Sequence, residues 1–291
     1  MIIIRQQGRL GNQMFQYALY RSLEEVGKQV FLDCEHPVNP KEKNQLDIFK
    51  KIRYQRADRE ESERLGNCKW TVYNRICRKL KCPTKRSHYM EKSDDSLLSL
   101  SELDGCYLDG FWQSEKYFID IRDKILQEFE FPALTDVNNM NCLERIQSNN
   151  SVSIHIRRGD YISSKYMGTY GGICTPNYYQ KAVQYIESRV ENARYFVFTD
   201  DPDWVLDNFV FPEHSECVTH NISSVTSYVD MYLMSQCKHS IIANSSYSWW
   251  GAWLNQNAEK IVVMPGRWTN HHDNKDIVCK DWICIDLDEE K

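Results

Sequence analysis

From residue 151 to residue 265, short apolar runs alternate with segments of helical period, and that alternation limits the fold more than any other feature of the chain. "SVSIHI" (151–156), "RYFVFTD" (194–200), "HSIIAN" (239–244) and "KIVVMP" (260–265) read as strands. Between and around them, residues 176–191, "DPDWVLDNF" (201–209), 225–236 and 246–256 read as helices. Strand and helix in strict turn imply a mostly parallel sheet covered by helices. The chain opens in the same way. "IIIRQ" (2–6) is a short strand. A helix follows, with Met14, Tyr17, Ala18, Leu19, Leu23 and Val26 at its apolar positions and Gly27 as its expected stop, and "QVFLD" is the next strand.

With 291 residues, 42% of them hydrophobic, the chain is long enough for two such α/β domains. The polar stretch 133–150, with "TDVNNMN" and "QSNN", marks the expected boundary, dividing the chain into domains 1–140 and 141–291. Two Rossmann-like halves of this kind are expected to face each other across a central cleft, with ligands beyond the carboxyl ends of the strands. Within the first half, "GCYLDGFWQSEKYF" (105–118) reads as strand, turn and helix start, and 119–130 as that helix, ending before Pro132. "KWTVYNRICRKLKCPTKR" (69–86) reads as a helix with a solvated basic face; the sharper alternative is a surface that meets an acidic acceptor or a membrane.

The net charge of −5 speaks against a chain built to coat nucleic acid or anionic lipid. Eleven cysteines without a CxxC pair exclude a zinc ribbon and a disulfide scaffold and imply a reducing, cytoplasmic setting. The N-terminus lacks the apolar run of a secretory signal. The uncharged stretch 240–258 is too rich in Ser, Asn and Gln to span a bilayer and is expected to fold as strand, turn and helix. Two N-glycosylation patterns, at Asn221 and Asn244, mildly favour a compartment without glycosylation.

Four clusters fall at expected strand ends: Gly8 to Gln13, His155 to Tyr161, Phe198 to Asp201, and Asn244 to Trp253 preceded by Asp230. Each has a plain structural reading. Ser245 and Ser246 suit a helix N-cap, Asp200 and Asp201 the end of a strand and the start of a helix, and Trp249, Trp250 and Trp253 a core. The triplet Arg158-Gly159-Asp160 beside a buried strand is poorly placed for adhesion. Together the clusters point further. Arginines at a strand end supply fork-shaped donors for phosphate. Serines at a helix N-terminus add hydroxyl and N–H groups. A carboxylate such as Asp230 can accept two parallel hydrogen bonds from guanine. The set suits a nucleoside diphosphate, and no acidic metal cluster of the DxD type accompanies it, although "TDD" comes close.

"GRLGNQMFQYA" (8–18), "HIRRGDY" (155–161), "FVFTDD" (196–201) and "NSSYSWWGAWL" (244–254) resemble, in order and spacing, the four motifs of the α-1,2-fucosyltransferases of glycosyltransferase family 11. The resemblance covers nearly the whole chain. It implies an α/β, GT-B-like fold, GDP-β-L-fucose as donor substrate, inversion at the anomeric carbon, and neither a metal nor a further cofactor. The acceptor it implies is a terminal galactoside, free or lipid-linked, in cell-surface polysaccharide synthesis of the O-antigen type, by a cytoplasmic enzyme with peripheral contact to the inner membrane.

By that resemblance Arg157 holds the β-phosphate, His155 and Asp230 meet the guanine, Ser245 and Ser246 touch the diphosphate, and Gly11 and Asn12 line the cleft from the first domain. Asp160 is the candidate base, with shaping of the arginine loop as its alternative role, and Arg158 is expected to pair with a carboxylate. Another GDP-sugar transferase, a protein O-fucosyltransferase or a non-catalytic glycan-binding module remain as alternatives.

Overall fold

The computed structural model describes residues 1–36, 43–69, 71–80, 84–91, 97–221, 227–271 and 275–286. The chain divides into two compact units, Met1–Pro132 and Ala133–Lys291. The division falls at the start of the polar stretch 133–150, within ten residues of the expected position. The middle of that stretch forms a helix of the second unit, started by Asp136, whose carboxylate accepts from the backbone N–H groups of Asn138 and Asn139.

The first unit runs β1 Ile2–Arg5, α1 Leu10–Glu25, β2 Val30–Asp33, α2 Arg59–Leu65, α3 Val72–Lys79, β3 His88–Met90, β4 Cys106–Asp109 and α4 Arg122–Glu128. Its described strands are all parallel, in the order β2-β1-β4-β3. Burial on both faces explains why "III" of β1 shows no alternation. α1 is buried on nearly every side, from Leu10 to Leu23, rather than along one stripe. It stops where expected: Gly27 takes φ +77°, and Lys28 N–H donates to Leu23 O at 3.0 Å. The helix expected over 119–130 begins as two 3-10 turns, Glu115–Tyr117 and Ile119–Ile121, before α4.

The second unit runs α5 Val137–Gln147, β5 Asn150–Ile156, α6 Met167–Tyr170, α7 Pro176–Glu187, β6 Ala193–Thr199, α8 Pro202–Asn208, β7 Ser215–Val218, α9 Ser227–Gln236, β8 His239–Ile241, α10 Ser246–Leu254, β9 Val262–Pro265 and β10 Ile283–Ile285. The six described strands are parallel, in the order β10-β9-β8-β5-β6-β7. Counted within the unit this is 3-2-1-4-5-6 read from the other edge, the doubly wound order. It reverses between β5 and β8, where such sheets leave a crevice at the strand carboxyl ends. Val152, Ile154 and Ile156 of β5 pack against Tyr178, Ala182 and Ile186 of α7. The three tryptophans of α10 are fully buried core. β7 and β10 escape a sequence reading because they are short edge strands whose half-buried residues show no clear period.

Candidate active site

The last residue of β5 is Ile156, and the chain then turns through "RRGDY". Arg157 ion-pairs through Nη2 with Asp160 Oδ1 at 2.6 Å and through Nη1 with Asp200 Oδ2 at 2.6 Å. Its guanidinium carbon lies 5.5 Å from the centre of the Tyr161 ring. Burial opposes its charge, but the carboxylates of Asp200 and Asp160 outweigh that and hold Arg157 protonated. Arg158 is held separately. Its Nε donates to Asp201 Oδ2 at 3.0 Å, its backbone N–H donates to Asp200 Oδ1 at 2.9 Å, and its guanidinium stacks 3.4 Å from the Trp204 ring centre.

The turn itself depends on Gly159. A Cβ there would lie 2.2 Å from Asp200 Oδ2, so a side chain would displace the carboxylate that positions both arginines. Asp201 serves twice, since its Oδ1 also accepts from Trp204 N–H as the cap of α8. The "TDD" sequence is thus occupied by arginines and a helix start. Tyr161 ties the turn to the neighbouring crossover by donating from its hydroxyl to Asn244 O at 2.9 Å.

His155 precedes the arginines and is buried. Its Nδ1 has no hydrogen-bond partner among the described residues. Burial, with Arg157 adding to it, pulls the imidazole well below its ordinary pKa although Asp200 opposes, so the ring is neutral near pH 7. An unpartnered buried nitrogen costs about 1–3 kcal/mol, which a ligand group can recover. The ring sits 5.5 Å from that of Tyr247.

Tyr247 leads to the other side of the crevice. Its hydroxyl accepts from Met231 N–H at 2.8 Å, the residue after Asp230 on α9. Asp230 is buried, and its Oδ1 accepts from Asn221 Nδ2 at 2.8 Å. Burial raises its pKa to about 7, with the Asn221 hydrogen bond opposing. Asn221 is in turn fixed by Asn139, through Asn139 Nδ2 to Asn221 Oδ1 at 3.0 Å and Asn221 Nδ2 to Asn139 Oδ1 at 2.7 Å.

Ser245 caps α10, its hydroxyl accepting from Tyr247 N–H at 3.3 Å, and Ser246 is the first helical residue, half-buried. Asn244 is buried with its amide donating to Tyr170 O and Trp268 O, and Asn221 is buried as well, so both glycosylation patterns lie on enclosed side chains.

His155, Arg157, Asp160, Asp230, Ser245 and Ser246 therefore gather around the reversal of the second sheet. Gly11 and Asn12 belong to the first unit and lie in the first turn of α1, not in the preceding loop. There, Gly8 carries the positive φ, +77°, and the atom closest to its absent Cβ is Asn12 Nδ2, so the close approach is by the chain's own asparagine. Asn12 Oδ1 accepts from Gln113 Nε2 at 2.8 Å. The sequence reading missed Tyr247, Asn221 and Trp204 as partners of the site. The proximity of Tyr247 to Ser245 and of Trp204 to Asp201 was the only signal for them.

Among the described residues, the one group with metal-ligand chemistry is Asp33, His36 and Cys68, buried in the first unit. It is already internally bonded. His36 Nδ1 donates to Asp33 Oδ2 at 2.9 Å, Tyr107 donates to the same oxygen at 2.7 Å, and the Cys68 thiol donates to Ser62 O at 3.2 Å. His36 Nε2 lies 3.8 Å from Glu63 Oε1. Also among the described residues, no helix is long and apolar enough to cross a membrane.

The model of glycosyl transferase family 11 matches residues 1–286. The chain belongs to this family. It is similar to the alpha-1,2-colitosyltransferase of Escherichia coli, 33% identical over 280 residues that cover 92% of each chain. It is 32% identical over 298 residues to the O-antigen biosynthesis glycosyltransferase WbnK of Escherichia coli, covering 95% of this chain and 97% of that one. A galactoside 2-alpha-L-fucosyltransferase of Bos taurus, SEC1, is 28% identical over 153 residues, 50% of this chain and 41% of that one. Among solved structures, the NodZ alpha-1,6-fucosyltransferase soaked with GDP-fucose superposes with a TM-score of 0.50 at 13% identity, over 87% of this chain and 92% of that one. That likeness concerns the fold. The chain is thus a family 11 glycosyltransferase with a GT-B-like α/β architecture of two Rossmann-like units.

Proposed function

We propose that this glycosyltransferase moves L-fucose from GDP-β-L-fucose to the 2-hydroxyl of a terminal galactoside, with inversion, giving an α-1,2 linkage in a polysaccharide of the O-antigen type. The observation that carries the reading is the Arg157 fork, held by Asp160 and Asp200 beside buried His155 and Asp230 at the sheet reversal. As the fucose–oxygen bond breaks, negative charge grows on the β-phosphate of GDP. A guanidinium fixed before the reaction stabilises that charge more in the transition state than in the ground state. It has five N–H donors, so the two carboxylates leave donors for phosphate. Asp230 as a carboxylate accepts from the two adjacent N–H groups of guanine, and His155 offers its buried Nδ1, which has no partner among the described residues. Ser246 and the first turn of α10 meet the diphosphate, with Ser245 maintaining that turn.

Asp160 has its Oδ1 engaged by Arg157, and we give it the positioning role rather than that of the base. Gly11 and Asn12 are proposed to serve the acceptor side. The charge stabilisation comes from protein groups, so transfer is expected to continue in excess EDTA, and a collapse restored by magnesium or manganese would overturn that part. An acceptor carried on lipid would bring the enzyme to a membrane face.

The similarity to the colitosyltransferase favours a second reading, in which the donor is GDP-colitose. Colitose lacks the 3-hydroxyl of fucose. A site that hydrogen-bonds this hydroxyl rejects the deoxy sugar by roughly 10⁴-fold, whereas an apolar pocket discriminates only about 10–200-fold. Transfer from GDP-fucose and GDP-colitose to a panel of β-galactosides, with linkage analysis of the products, decides between them. Higher kcat/KM with GDP-colitose would overturn the fucose reading, and hydrolysis of neither donor would overturn both.

A further inference from the structure

The transfer reaction assigns no use to the basic stretch 69–86. It holds seven Lys and Arg residues and no Asp or Glu, in a chain of net charge −5. Within it the large apolar side chains described in α3, and Leu80 just after it, point outward. Cys77 is buried and Asn74 half-buried, while Val72, Tyr73, Ile76 and Leu80 are 66%, 61%, 52% and 65% exposed. Val72, Ile76 and Leu80 are spaced by four, and Tyr73 lies beside them, so the four form a single outward apolar stripe. Lys69, Lys79 and Arg86 of the same stretch are exposed. Lys69 also pairs with Glu63 of α2 at 2.9 Å, which removes part of its charge from the surface field.

Apolar side chains held in water on one face of a helix, in a local surplus of positive charge, fit the boundary between lipid headgroups and acyl chains. A protein partner would need acidic residues matched to each lysine, whereas an anionic bilayer offers its charge at any register. We propose that α3 docks the enzyme on an anionic lipid surface, with Tyr73, Ile76 and Leu80 entering the headgroup layer and Lys79 and Arg86 meeting lipid phosphates. This inference is independent of which sugar is transferred.

The test is co-sedimentation of the full chain with vesicles of phosphatidylcholine alone and with vesicles in which about a third of the lipid is phosphatidylglycerol. The wild type is expected to pellet with the anionic vesicles only, and to be released as salt shrinks the Debye length from about 10 Å at 0.1 M to about 3 Å at 1 M. Lys79→Gln is expected to weaken the partition roughly fivefold, the contribution of one basic residue near the surface. The triple change Tyr73→Ser, Ile76→Ser, Leu80→Ser is expected to abolish it. Both variants should keep wild-type circular dichroism and wild-type transfer to a water-soluble galactoside, which separates docking from folding and catalysis. Equal behaviour with the two vesicle types, or pelleting unchanged in the triple variant, would overturn the proposal. So would a dimer in sedimentation velocity that the triple variant dissociates, because a second copy would then cover the stripe.

Discussion

Both units end their central parallel strands in a polar turn, but they furnish those turns with opposite chemistry. In the first unit the end of β1 and β4 is sealed by Arg5, whose Nη1 donates to Asp109 at 2.9 Å, and the residues beyond are amides. Gln7 N–H donates to Gln16 Oε1 at 2.9 Å, Gln16 Nε2 returns to Gln7 O, and Gln7 Nε2 donates to Gly110 O at 3.0 Å. Gln13 joins Gly8 O to Lys43 O in the same manner. Each amide both donates and accepts, so these amides satisfy one another, while the one arginine at the strand end, Arg5, is paired with Asp109. In the second unit the turn after β5 is built from two arginines and the carboxylates of Asp160, Asp200 and Asp201. A guanidinium only donates, and its surplus donors call for a further anion. The difference supports the proposal that the second unit holds the diphosphate: it gathers two arginines where the first unit has the single, carboxylate-paired Arg5.

Changes at the charged turn should therefore dominate. Arg157→Lys keeps the charge but loses the planar fork, and turnover is expected to fall roughly 10²–10³-fold in a protein that still folds. Steady-state kinetics with GDP-fucose check this, and near-normal turnover would remove Arg157 from the reaction. Gly159→Ala forces a Cβ against Asp200, and the strain is expected to cost about 1–3 kcal/mol, seen as a lower melting temperature together with reduced turnover.

Asp230→Asn should do the reverse to stability. A carboxylate whose folded-state pKa is raised to about 7 binds its proton more tightly in the folded chain. Its contribution is most favourable below the unfolded value and is lost as pH rises through 7. The neutral amide escapes that loss, so the variant is expected to melt a few degrees higher than wild type at about pH 8, about 2–4 °C for each kcal/mol. Calorimetry at that pH reads the difference. Asn12→Ala, at the amide turn, removes one hydrogen bond and is expected to lower stability by about 0.5–1.5 kcal/mol while leaving GDP affinity unchanged. A large drop in GDP affinity from Asn12→Ala would break the division of labour between the turns.

Much of this was legible in the sequence. Apolar runs such as "IIIR" and "SVSIHI" declared buried parallel strands, Gly27 declared a helix end, and the cluster of charges after β5 declared a site, because charges at a strand end need partners. What stayed hidden was long-range pairing. Nothing near Arg157 in sequence announces Asp200, and nothing near Asp230 announces Asn221 held by Asn139. Glutamines 7, 13 and 16 are buried because their amides bond across the turn, pairing that no local pattern announces. The polar stretch 133–150 marks the boundary to within about ten residues, since the units divide after Pro132, but its own helix, capped by Asp136, was hidden because Asn and Asp favour loops as well as helix starts.

The claim that the second unit reads a guanine nucleotide meets its most direct test in calorimetric titration of wild type and Asp230→Asn with GDP and with pyrophosphate at about pH 8. Losing a charge-assisted hydrogen bond to guanine is expected to weaken GDP about ten- to a hundredfold and to leave pyrophosphate unchanged. Wild-type affinity for GDP should also fall as pH drops below 7, since protonation removes the carboxylate that accepts both N–H groups, and the variant should lack that dependence. Equal GDP affinities for the two proteins would contradict the assignment and leave Asp230 a structural residue.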